Sequence, residues 1–236
     1  MSYAAFQDRA AAYASERERA DFIRLTYLHL GGAILAFIGL TAALVNSELG
    51  LRITETMLGG RFSWLIVLGA FMGVGWIAQR WAASGGSPAK QYLGLGLYVV
   101  AEAIIFTPLL YIAAFYAGPS VIPTAGLLTA IVFGGLTATA LLTKKDFSFM
   151  GRALSLGGFA AMGVIVVSLI FGFNLGTLFS GAMVLLAGGY VLYYTSNVLH
   201  HYPVGAHVAA ALALFSAVAL LFWYILRIVM AVSGRR

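Results

Sequence analysis

Seven apolar runs, each about as long as a bilayer crossing, constrain this chain more than any other feature. They cover Tyr27 to Val45, Phe62 to Ala78, Tyr92 to Phe115, Val121 to Leu142, Phe149 to Phe173, Thr177 to Leu199 and Ala206 to Val232. Hydrocarbon offers no water to a backbone amide, so each run must satisfy its hydrogen bonds internally, as a helix does. With 61% apolar and only 9% charged residues, the chain is too apolar for a water-soluble domain. The expectation is an all-α integral membrane protein with seven transmembrane helices and the lipid bilayer as its solvent. Residues 1–23 read as a cytoplasmic N-terminal tail and residues 24–236 as one transmembrane domain, since the connections are too short for a second unit.

The charges follow the same logic. The net charge of +6 comes from basic residues that flank the runs, which is the positive-inside pattern and not a nucleic-acid footprint. A cytoplasmic N-terminus puts Arg9, Arg17, Arg19, Arg24, Arg80, Lys90, Lys144, Lys145 and Arg152 inside. It leaves Arg52, Arg61, Arg227, Arg235 and Arg236 outside, and nine against five favours that orientation. The charged tail lacks a secretory cleavage pattern, so the first span is expected to be retained. With no cysteine, disulfides, thiolate metal sites and thiol catalysis are excluded.

In the tail, Tyr3, Phe6, Ala10 and Tyr13 share one helical face, which reads either as a surface helix or as a solvated tail. Ser15 and Glu18 have the capping-box form. Asn46 to Arg61 reads as a solvated loop. Gly69 and Gly73, and the pairs Gly157, Gly158 and Gly188, Gly189, offer flat surfaces for close helix packing.

Within the spans one acid stands out. Glu102 lies ten residues into its run, about 15 Å at 1.5 Å per residue, where a carboxyl needs a partner, a cavity or an altered protonation state. Tyr98 precedes it by one turn, and Pro108 removes the backbone bond to the carbonyl of Ile104. Glu102 is expected to face the interior, hydrogen-bonded to Tyr98, to a freed carbonyl or to water. Late in the sixth run Tyr194, Asn197 and His201 share a face, suited to a vestibule or to interhelical hydrogen bonds. His200, His201 and His207 read as interfacial, solvated histidines, and His29 as a hydrogen-bonded interior residue. Gly73, Gly75 and Ala78 mimic a dinucleotide fingerprint, but inside a span and without the required strand. No catalytic motif, cofactor site or metal site is visible, so a non-enzymatic protein is expected.

Four segments carry a resemblance: RLTYLHLGGAILAF (Arg24 to Phe37), TKKDFSFMGR (Thr143 to Arg152), VLYYTSNVLHH (Val191 to His201) and AALALFSAVALLFWYILR (Ala210 to Arg227). Together they resemble the transmembrane Bax inhibitor motif family, in particular its bacterial YccA-type branch. That resemblance implies six helices around a central seventh, a bacterial inner-membrane location and a cytoplasmic N-terminus. It also implies two functions, a pH-regulated calcium leak and an association with the membrane-bound FtsH protease. The leak depends on two aspartates, and this chain has Tyr194 and Ala217 at those positions. Neither a phenol nor a methyl group exchanges a proton near neutrality. The expected function is therefore a modulator or companion of other membrane proteins, with FtsH-type quality control as the implied partner. A cation or proton leak through Glu102 is the alternative.

Overall fold

The computed structural model describes residues 10–84 and 87–234. Its described residues form eight α-helices: α1 (Glu16–Val45), α2 (Glu48–Leu58), α3 (Arg61–Ala82), α4 (Pro88–Ile112), α5 (Val121–Thr143), α6 (Gly151–Phe171), α7 (Gly176–His200) and α8 (His207–Ser233). All but α2 are long and apolar enough to cross a membrane, so the seven expected spans are present.

The ends of these helices follow capping chemistry. The amide of Ser15 donates to Glu18 Oε2 at 3.0 Å while Ser15 Oγ accepts from the Glu18 amide at 3.4 Å, completing the capping box. From that start α1 runs 30 residues without a break, carrying the end of the tail directly into the first span. One expectation is corrected here. Residues 46–61 are not a loop: Ser47 Oγ accepts from the Gly50 amide at 3.2 Å and nucleates α2, which buries Gly50 and Thr54. In the tail, where a surface helix and a solvated tail were both open, residues 10–14 ahead of α1 do not form the helix. Ala11–Tyr13 is a single 3-10 turn with Ala11 buried and Tyr13 82% exposed, and the Ala11 amide donates to the Tyr202 carbonyl at 2.9 Å. Tyr3 and Phe6 lie outside the described residues.

Helix α4 continues through Pro108 to Ile112 and then widens into a π-turn over Ala113–Ala117. In the best apolar stretch of α4, 61% of residues are buried, and the same holds for α8, against 11–28% in the other spans. The interior is thus shared by the third and seventh spans. Phe37 of α1, Phe106 of α4 and Phe215 of α8 meet there edge to face, with centroids 5.0 and 5.9 Å from Phe37.

The glycines divide differently from expectation. Gly157, Gly158, Gly188 and Gly189 do meet neighbouring helices, a Cβ on Gly189 falling 2.6 Å from Leu154 Cδ2. Gly69 and Gly73, by contrast, have no atom within 4 Å of an added Cβ. Two spans approach backbone to backbone at Gly94 of α4, where a Cβ would lie 2.5 Å from both the Ala78 carbonyl oxygen and the Ala82 amide of α3.

Candidate functional site: an acid at the base of a membrane cleft

A cleft of about 760 Å³ lies between α3, α4, α6, α7 and α8. Tyr98 and Glu102 line it from α4, and both are only 6% exposed. One helical turn separates them, so they stack on the same face. The Tyr98 hydroxyl lies near the Glu102 carboxyl and near Ser216 on α8. Ser216 Oγ itself donates to the Ala213 carbonyl at 2.8 Å, which fixes its rotamer. The rings of Phe71 and Phe215 hold Tyr98 at centroid distances of 5.9 and 6.1 Å.

Tyr194 of α7 and Ala217 of α8, the two positions singled out by the resemblance, line this same cleft. The fold therefore gathers Glu102, Tyr98, Tyr194 and Ala217 around one space. Tyr194 packs in an aromatic group with Tyr190 at 5.8 Å and Tyr193 at 5.2 Å, and Tyr190 donates from its hydroxyl to the Leu154 carbonyl at 2.9 Å. Toward its other end the cleft is lined by Asn174 of the α6–α7 connection and by Arg227 of α8.

The polar stripe expected on α7 does not reach the cleft as a unit. Asn197 is not among the lining residues. Its carbonyl accepts the amides of His201 and Tyr202 at 2.8 and 2.9 Å and so ends the helix. His201 turns outward to Asp146, its Nε2 lying 3.1 Å from Asp146 Oδ2. Sequence spacing gives no sign of this pair, because Asp146 precedes His201 by 55 residues.

Asp146 belongs to a clamp that spacing alone does not reveal. Its Oδ1 accepts the Ser148 amide at 2.8 Å and lies 3.3 Å from Ser196 Oγ. Ser196, fully buried, accepts the Phe147 amide at 2.8 Å. The Ser148 amide, with help from His201, holds the Asp146 carboxyl down at about 2. The TKKDFSF and LYYTS segments, which carry the resemblance most specifically, are the two halves of this one clamp.

The remaining histidines do not assemble a metal centre: no group of three or more His, Cys, Asp or Glu side chains suited to a metal occurs among the described residues. His29 Nδ1 pairs with the Leu25 carbonyl at 2.7 Å and Nε2 with the Tyr92 hydroxyl at 3.2 Å. His207, grouped by sequence with the loop, instead packs at the start of α8 with its ring 5.0 Å from His29.

Residues 19–234 match the family model described as inhibitor of apoptosis-promoting Bax1. A protein of Pseudomonas aeruginosa, described as uncharacterized, is 30% identical over 196 residues, covering 80% of each chain. One of Campylobacter jejuni, described likewise, is 27% identical over 222 residues, or 92% of this chain and 91% of its own. A Vibrio cholerae protein described as a membrane protein is 31% identical over 123 residues, half of this chain and 53% of its own. With its seven spans and a family match that runs through nearly all of them, the chain belongs to the Bax1 inhibitor family of membrane proteins.

Proposed function

We propose that this protein is a non-enzymatic membrane protein that passes protons by way of Glu102. The observation that carries the proposal is the position of this acid, buried on the wall of a 760 Å³ cleft beside the Tyr98 hydroxyl and the two substituted family positions. A lone carboxyl with a hydroxyl partner can take and release one proton in turn. It offers a divalent cation too few oxygens, since calcium takes six to eight. Arg227 on the same cleft also opposes a divalent cation. Proteoliposomes loaded with a pH-sensitive dye and driven by a potassium diffusion potential test the proposal. Acidification is expected with the wild type, is lost with Glu102→Gln, and is matched by no calcium signal. Equal flux in the Gln variant, or none in the wild type, would refute it.

A second reading makes the protein a companion of an FtsH-type membrane protease, and Gly69 and Gly73 favour it. They form a flat strip on α3 that none of the described residues covers, and such a strip suits a helix of another membrane protein. Co-purification under native expression tests this, with loss of the partner expected in Gly69→Leu with Gly73→Leu. Both readings place the protein in the bacterial inner membrane with a cytoplasmic N-terminus. Labelling single cysteines at Lys145 and Ser120 from outside intact cells checks the orientation: Ser120→Cys reacts and Lys145→Cys is protected.

A further inference from the structure

Arg227 is a charge in a membrane span without a counter-charge. It lies six residues before Ser233 at the end of α8, about 9 Å along the axis at 1.5 Å per residue. Its guanidinium stands 6.0 Å from the Tyr224 ring centroid, and no carboxylate among the described residues is within salt-bridge distance of it. A half-buried guanidinium at that depth is costly unless it finds an anion.

The surroundings indicate which anion. Trp64 of α3 and Trp223 of α8 also line the cleft, stacked 6.1 Å apart. Tryptophan gathers at the level of lipid headgroups. Other parts of the wall are apolar, with Leu68 and Met72 on α3 and Ile165 on α6. The volume falls in the ~300–1,000 Å³ range of small-molecule sites. One basic group, then an aromatic pair, then an apolar slot is the order of chemistry along a lipid, from headgroup to acyl chain.

We propose that the cleft holds one anionic phospholipid of the bilayer, its phosphate paired with Arg227 and one acyl chain lying between α3 and α6. Guanidinium and phosphate form two parallel hydrogen bonds, which suits arginine to this role. The inference goes beyond the proton pathway, and lipid occupancy is read whether or not protons move.

The two cleft tryptophans supply the measurement. The full chain carrying Trp76→Phe and Trp81→Phe, which removes the other two tryptophans, is reconstituted in phosphatidylcholine vesicles. These contain either brominated phosphatidylglycerol or brominated phosphatidylcholine at equal fraction. Quenching of Trp64 and Trp223 is expected at roughly five-fold lower mole fraction of the anionic lipid, the factor given by about 1 kcal/mol per basic residue. Arg227→Gln is expected to erase that preference, and Arg227→Lys to keep part of it. Thermal melting of each variant separates loss of lipid from loss of fold, and native mass spectrometry of the wild type gives a second readout, a retained phosphatidylglycerol. Equal quenching by the two lipids in the wild type would overturn the proposal. So would a preference that survives in Arg227→Gln, or no quenching by either lipid, which would mean a water-filled cleft.

Discussion

A methyl group added at Gly94 tests how α3 and α4 are held together. The new Cβ would sit 2.5 Å from the Ala78 carbonyl oxygen, 2.5 Å from the Ala82 amide nitrogen and 3.0 Å from Trp81 Cβ. Two of these are backbone atoms of α3, which no rotamer change can move. Ordinary contact begins at 3.4 Å, so the helices must separate by about 0.9 Å (3.4 − 2.5). Overpacking of that kind costs about 1–3 kcal/mol, while alanine returns at most ~1 kcal/mol of helix propensity over glycine. The net effect of Gly94→Ala is a loss of up to about 2 kcal/mol, with a larger loss for Gly94→Val. Gly69→Ala on α3 is the matched comparison, because nothing lies within 4 Å of its added Cβ and only the propensity gain remains. Thermal unfolding in detergent, followed by helical circular dichroism, should place Gly94→Ala several degrees below the wild type and Gly69→Ala at or above it. A Gly94→Ala protein that melts with the wild type would refute the contact and the α3–α4 spacing it implies.

Ser196→Ala leaves the partly buried Phe147 amide without its acceptor, so a loss of about 1–3 kcal/mol is expected by thermal unfolding. The Asp146 carboxyl, held at about 2 against an ordinary 3.8, contributes stability that is complete above pH ~4 and disappears as pH falls through about 2. The melting gap between wild type and Asp146→Asn should therefore be constant from pH 5 to 7 and close toward pH 2. Because this side chain is about half exposed, the gap should be small. Glu102→Gln keeps a hydrogen-bonding group beside Tyr98 and should melt within a few degrees of the wild type, whereas Glu102→Leu should melt lower. Tyr194→Asp with Ala217→Asp places two carboxyls on the same cleft, and liposome flux that responds to pH is expected from the pair but from neither single change.

The spans were legible because apolar length is a property of local sequence, but their ends were not. α1 begins at Glu16, 11 residues before the apolar run, because its capping box and charged first turns are helical without being apolar. α2 escaped for the same reason: Glu48, Arg52 and Glu55 look like a solvated loop until Ser47 is recognised as its cap. Gly94 and Gly69 read alike in sequence, and only the helix lying opposite tells them apart. The site divides along similar lines. Tyr98 and Glu102 were readable as one turn of one helix. Tyr194 and Ala217 could be placed only through family resemblance, since they meet Glu102 across three helices. Asn197 had the right spacing, but it lies in the last turn of α7, where its carbonyl caps the helix, and it does not line the cleft.

The clamp between Asp146 and Ser196 also sets an order of events during synthesis. Its halves are 50 residues apart, and at ~5–20 residues per second the ribosome needs about 3–10 s to make the second after the first. During that interval α6 is itself being made, while the Phe147 amide waits for Ser196. The newborn hairpin is therefore an open form of the clamp, and a chain stalled before Ser196 keeps the Phe147 amide without this acceptor.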